Sequence, residues 1–244
     1  MRKIFFLFAL LGVFAGIALT IKNIKFSNPP KKVEEFSGVT IACLGDSITR
    51  GTNNKFPAFP TLLEDSLDGS RVYNYGISWS TIATMDSCHC HPEGNYTHYP
   101  FVNRYENMHS SDIILVFGGV NDYGCLIPLG TPSDTTTSTF YGACNELAKG
   151  LKKTYPDSYI VFLTGFNYWG DKATNDAGVY WRDYNDAIVN TCKKYNIDCL
   201  DLYNNLEFNT AEDTVDGIHP SEEFVTNMLV PTIVGFLEKN YKPR

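Results

Sequence analysis

The chain has 244 residues, 43% apolar and 19% charged, with a net charge of −7 and a pI near 5.2. That length and apolar content suit one sizeable domain with its own core and exclude extended disorder. The acidic balance excludes nucleic acid as a partner, because phosphate binding needs clustered Lys and Arg.

Met1-Arg2-Lys3 ahead of the apolar run Ile4 to Ile21 has the layout of a secretory signal, with the small residues Gly16 and Ala18 near a cleavage point. The run is also just long enough to span a bilayer. Residues 1–21 therefore read as a signal peptide or an N-terminal membrane anchor, and either reading places the folded part outside the cytoplasm. Residues 22–34, with Pro29-Pro30 and four lysines, read as a polar linker, and residues 35–244 as the domain. Seven cysteines fit an exported protein in which disulfides persist. Cys43 falls inside a strand and reads as a core thiol. Cys88, Cys90, Cys125, Cys144, Cys192 and Cys199 are the candidates for pairing, which sequence does not specify. Asn95-Tyr96-Thr97 is a glycosylation sequon if the source is eukaryotic.

The first element of the domain is a buried strand from Thr40 that breaks at Gly45 and leaves Ser47 at its tip. Phe59, Leu62, Leu63 and Leu67 then recur at helical spacing up to Gly69. Arg71 to Tyr75 reads as a second strand, leading into Asn74-Tyr75-Gly76-Ile77-Ser78-Trp79. A long irregular stretch, Met85 to His109, follows; loops of that length are functional or externally tied. Asp112 to Phe117 is a continuous apolar run, the signature of a central parallel strand buried on both faces. It ends in Gly118-Gly119-Val120-Asn121-Asp122.

Phe140, Ala143, Cys144, Leu147 and Leu151 mark an amphipathic helix. Tyr159 to Leu163 is a fourth strand, running into Gly165-Phe166-Asn167-Tyr168-Trp169. Trp181, Tyr184, Ile188, Cys192 and Tyr195 form the next helical stripe, and Ile197 to Leu202 a fifth strand. Asp216-Gly217-Ile218-His219-Pro220 leads into a last helix, with Pro231 expected to kink it. Strands alternating with helices predict an α/β fold, a doubly wound, flavodoxin-like sheet of about five mostly parallel strands.

Every polar cluster in this pass follows a strand, so the fold argument gathers Ser47, Trp79, Asn121, Asn167, Asp216 and His219 on one edge of the sheet. Ser47 is the candidate nucleophile. His219 is the natural base, because imidazole exchanges a proton near neutral pH. Asp216, three residues earlier, can reach the far ring nitrogen and fix its tautomer. Asn121 offers an amide to a developing oxyanion, and the N–H groups of Ser47 and of the second-strand loop are further donors.

Three blocks, Gly45-Asp46-Ser47-Ile48-Thr49, Gly118-Gly119-Val120-Asn121-Asp122 and Asp216-Gly217-Ile218-His219-Pro220, closely resemble those of the GDSL-type, or SGNH, hydrolases, a family of esterases and lipases. The resemblance spans Gly45 to His219. It implies Ser47 as nucleophile, His219 as base, Asp216 as orienting acid and Asn121 as oxyanion donor. One block departs: where the family has Asn-x-Gly-x-Ser-Gly, the second glycine is Trp79 here. Trp79 keeps a backbone N–H for the oxyanion hole, with Gly76 the fallback donor, and its indole crowds or walls the acyl side. The Gly-x-Ser-x-Gly elbow of α/β-hydrolases is absent around Ser47.

The expected activity is hydrolysis of carboxylic esters through an acyl-enzyme, with no metal or organic cofactor, on a small acyl group carried by a carbohydrate. The alternatives are a lysophospholipase, lipase or thioesterase of the same family, or a catalytically silent carbohydrate-binding protein on this fold. Asn167 and Trp169 are the candidate substrate-binding residues, with a core-edge role as the plain alternative. Asp46 and Asp122 read as turn or cap residues. Cys88-His89-Cys90-His91, with His98 and His109, suggests a metal site, but paired C-x₂-C spacing is missing; disulfide or plain loop is preferred.

Overall fold

Five short segments form one all-parallel sheet in the order β2-β1-β3-β4-β5. The computed structural model describes residues 34–51, 57–85, 99–172 and 174–243, all within the unit Lys32–Arg244. The segment read as signal or anchor, the linker up to residue 33, Cys88 to His91, the sequon at Asn95 and His98 lie outside the described residues. In chain order the elements are β1 (Thr40–Gly45), α1 (Ser47–Arg50), α2 (Phe59–Ser66), β2 (Arg71–Gly76), β3 (Ile113–Phe117), α3 (Val120–Gly124), α4 (Phe140–Thr154), β4 (Tyr159–Leu163), α5 (Trp181–Tyr195) and β5 (Asp198–Leu200). Short helices and a final helix, Val230–Asn240, follow. Among the described residues no helix is long and apolar enough to cross a membrane.

Burial explains the order. Every residue of Ile113–Phe117 is buried, as two-sided coverage of a central parallel strand requires. Arg71–Gly76 is exposed or half-buried throughout, as an edge strand is. The chain moves from β1 outward to β2 through α2, then returns to β3 and proceeds through α4 and α5 to β5. Right-handed crossovers in opposite directions put their helices on opposite faces, so α4 packs beside α5 while α2 packs beside the final helix. In α4 the buried Phe140, Ala143, Cys144, Leu147 and Leu151 form one stripe, and the Thr139 side chain accepts from Gly142 N to cap it. Trp181 and Tyr184 on α5 are fully buried; each such side chain contributes roughly 1.5–3 kcal/mol.

The strand tips align. Gly45 pairs with Gly76 and Phe117, Phe117 with Leu163, and Leu163 with Leu200, a single row across the sheet. Sheet order reverses between β1 and β3, the switch point where open α/β sheets hold their ligands.

Two expectations, on the fifth strand and on the cysteines, are corrected, and the local setting of Pro231 is defined. The fifth strand ends at Leu200, because Asp201 caps a new helical turn over Leu202–Asn205 by accepting from Asn204 N. The last helix has a π segment, Val225–Leu229, directly ahead of Pro231, which occupies the first turn of the helix after it; the wider turn accommodates the missing N–H. Of the cysteines considered for pairing, Cys144, Cys192 and Cys199 are free thiols, as is the core residue Cys43.

Candidate active site

Gly45 ends β1 and allows the chain to fold back at once. A Cβ there would lie 1.8 Å from Thr49 Oγ1, and one on Gly76 beside it 2.2 Å from Arg50 N. Two glycines side by side let the single turn α1 sit directly on the strand tips. Asp46 caps that turn, its Oδ1 accepting from Ile48 N at 2.9 Å. Ser47 is the first residue of the turn, so its N–H has no partner within the helix.

His219 Nε2 lies 2.9 Å from Ser47 Oγ, and His219 Nδ1 lies 2.8 Å from Asp216 Oδ2. A carboxylate only accepts, so Nδ1 carries the proton and Nε2 is left to accept from the serine hydroxyl. Asp216 Oδ1 also accepts from Ile218 N at 3.1 Å and His219 N at 2.9 Å. Partial burial raises the Asp216 pKa, but the hydrogen bonds from His219 and Ile218, with the attraction of His219, outweigh it and hold the carboxyl below its usual range. The pair rides on one loop closed by Val215 N to His219 O at 2.9 Å and Ser221 N to Asp213 O at 2.7 Å, with Gly217 at φ 88°.

The second-strand loop turns over Ile77 to Ser80, closed by Ser80 N donating to Ile77 O at 3.2 Å. Trp79 is the third residue of that turn and has φ 65°, the left-handed conformation such a turn reserves for glycine. Trp79 thus holds a backbone conformation that favours glycine, and 45% of its surface is exposed. Asn121, in α3, donates Nδ2 to Ser80 O at 3.0 Å, leaving a second amide proton to give. The Gly76 N–H, the fallback donor, donates here to Asn74 Oδ1 at 2.8 Å.

Asn167 is engaged locally, its Oδ1 accepting from Gly170 N at 2.9 Å. Trp169 is 39% exposed and stacks on Tyr123, 5.1 Å between ring centres. Asp122 was read from sequence as a turn residue, and its reach is longer. Its buried carboxylate accepts from Ile82 N and Ala83 N, both at 2.9 Å, so two consecutive side chains of α3 clasp the loop behind Trp79. His109, at the edge of the Cys- and His-rich stretch, stacks on Tyr73 at 4.6 Å and has Nδ1 2.7 Å from Ser110 O.

A hydroxyl joined to an imidazole joined to a carboxylate, at the switch point and beside amide donors, can support acyl transfer without a cofactor. The family model of the GDSL-like lipases and acylhydrolases matches residues 43–224. The chain belongs to that family. As a member it is a serine ester hydrolase. Among solved structures, a protein from Lactobacillus plantarum is 29% identical with a TM-score of 0.72, covering 86% of this chain and 100% of its own. A possible lipase from Chitinophaga pinensis is 18% identical with a TM-score of 0.64, covering 82% and 98%. Axe2, an acetylxylan esterase from Geobacillus stearothermophilus, is 18% identical with a TM-score of 0.58, covering 86% and 98%. These last two likenesses are of fold. Comparison with curated proteins finds no match.

Proposed function

We propose that this member of the family is an exported esterase that releases a small acyl group from a carbohydrate. Ser47 Oγ attacks the ester carbonyl as its proton passes to His219 Nε2. Asp216 stays ionised and holds the imidazolium. The oxyanion takes hydrogen bonds from the second amide proton of Asn121 and from the backbone N–H groups of Ser47 and Trp79. Collapse expels the alcohol, which takes the proton from Nε2. Water then attacks the acyl-enzyme by the same route and the acid leaves.

The observation that carries this reading is the continuous link from Asp216 through His219 to Ser47, with contacts of 2.8 and 2.9 Å. The small acyl group is supported by the indole of Trp79 at the loop beside Ser47. The carbohydrate is supported by exposed rings at Trp79, Trp169 and Tyr180, which suit sugar faces, and by the fold shared with an acetylxylan esterase. Export is supported by the basic and apolar N-terminal pattern.

The test is hydrolysis of p-nitrophenyl acetate, butyrate and octanoate by the domain and by Ser47→Ala, with fluorophosphonate labelling of both. Acetate turnover and labelling that vanish in the variant are expected. A preference for octanoate would overturn the small acyl site and favour the lipase reading. No turnover and no labelling would favour a silent binding protein.

A further inference from the structure

Arg104 lies between two single 3₁₀ turns, Phe101–Asn103 and Tyr105–Asn107, outside the three blocks. Its guanidinium lies over the Phe101 ring, 4.9 Å from the centroid. The fork spreads to four acceptors. Nη2 donates to Gly45 O at 2.7 Å and to Ser80 Oγ at 3.2 Å, Nη1 to Tyr75 O at 2.6 Å, and Nε to Tyr99 O at 2.9 Å.

Each acceptor holds a separate part of the site. Gly45 is the last residue of β1, two before Ser47. Tyr75 is the penultimate residue of β2, at the root of the Trp79 turn. Ser80 follows Trp79, and its carbonyl accepts from Asn121. Ser80 Oγ in turn donates to Tyr99 O at 2.5 Å. The nucleophile tip, the strained turn and, through Ser80, the α3 amide are therefore joined by one cation.

We propose that Arg104 is a positioning residue for ester hydrolysis, fixing the nucleophile and the oxyanion donors against one another through Gly45, Tyr75 and Ser80. The proposal rests on the assignment of Ser47, Asn121 and Trp79 given above. The chemistry of the fork favours it, because donors in one rigid plane bridge strand tips that belong to two strands and a loop. Burial draws the guanidinium pKa down to about 10 and the nearby Asp46 carboxyl draws it up, so the group is a cation at neutral pH. A lysine would keep the charge opposite Asp46 but has three donors on one nitrogen, which cannot span four acceptors.

The test compares Arg104→Lys with wild type by kcat and KM on p-nitrophenyl acetate, by the rate of fluorophosphonate labelling, and by melting temperature. Misplaced donors cost turnover rather than binding, so kcat is expected to fall about tenfold to a hundredfold. KM should stay within about threefold, and labelling should slow in parallel with kcat. A kcat within twofold of wild type overturns the proposal, and so does a rise in KM alone. If the lysine variant fails to fold, Ser80→Ala decides: a severalfold loss in kcat at constant KM supports the proposal, and an unchanged kcat overturns it. A wild type that neither turns over nor labels sinks the underlying assignment and this proposal with it; a labelled wild type with an unaffected Arg104→Lys sinks this proposal alone.

Discussion

The two edges of the sheet are built from the same five strands and serve different ends. At the N-terminal edge several polar groups are matched, while Ser70 Oγ is buried with no hydrogen-bonding partner among the described residues and Asn196 holds a left-handed backbone at φ 51°. Asp112 Oδ2 accepts from Thr40 N at 2.8 Å and Thr40 Oγ1 at 2.6 Å, Ser158 Oγ donates to Ser111 O at 2.5 Å, and Tyr159 donates to Asp198. Cavities of about 270 and 320 Å³ flank this edge, sharing Ser158 and Tyr159. At the C-terminal edge a tryptophan holds a left-handed backbone, and Asp46 Oδ2, Thr49 Oγ1 and Tyr168 OH are buried with no hydrogen-bonding partner among the described residues. Both edges thus carry a left-handed residue and a buried unpartnered polar atom, and what sets the C-terminal edge apart is the link from Asp216 through His219 to Ser47. That hydrogen-bonded link, rather than open volume or strain, marks the reactive edge.

That contrast can be broken by substitution. Asp216→Asn should lower kcat by two to four orders of magnitude while leaving the melting temperature nearly unchanged, since it disturbs the imidazole tautomer rather than the core; a loss below tenfold would remove the carboxylate from the scheme. Gly45→Ala should cost about 3 kcal/mol of stability, because the new methyl collides with the buried Thr49 side chain. Urea denaturation measures it, and a cost under 1 kcal/mol would mean that α1 shifts freely.

Asp46 supplies a pH signature. Burial raises its pKa to about 7, against the pull of Ile48 N–H and Arg104. Between the unfolded value near 4 and about 7 the folded protein holds a proton that the unfolded chain has released. Stability therefore falls as pH rises through that window, and the full penalty is present above it. Asp46→Asn should flatten the slope, seen as a difference between wild-type and variant denaturation curves across pH 4 to 7.5; parallel curves would refute it. The smallest effect belongs to the opposite edge. Asp112→Ala should cost about 1 kcal/mol and leave ester turnover intact, and a drop in kcat would erase the distinction between the edges.

Much of this was legible in the sequence. Continuous apolar runs locate β1, β3 and β4 to within a residue, and 3.6-residue stripes locate α4 and α5. The polar clusters after each strand indicate the reactive edge, because strand ends are set by local pattern. What escapes the sequence acts across distance. Arg104 stands in an irregular stretch with no motif, and its partners lie 5 to 59 positions away. Asp122 binds a loop some 40 residues earlier, so only the fold reveals more than a cap. Single turns such as α1 and α3 are too short for periodicity. The left-handed backbone at Trp79 contradicts local propensity outright, and the family pattern alone hinted at it.

The loop that carries Asp216 and His219 is closed on itself by its own backbone bonds, while Ser47 belongs to the opposite end of the chain. Acid and base therefore travel together. An excursion of that loop as one body keeps the 2.8 Å pairing and changes the gap to the serine hydroxyl. The site is modular in this sense: acid and base form a preassembled proton acceptor that can move as one cassette relative to the serine.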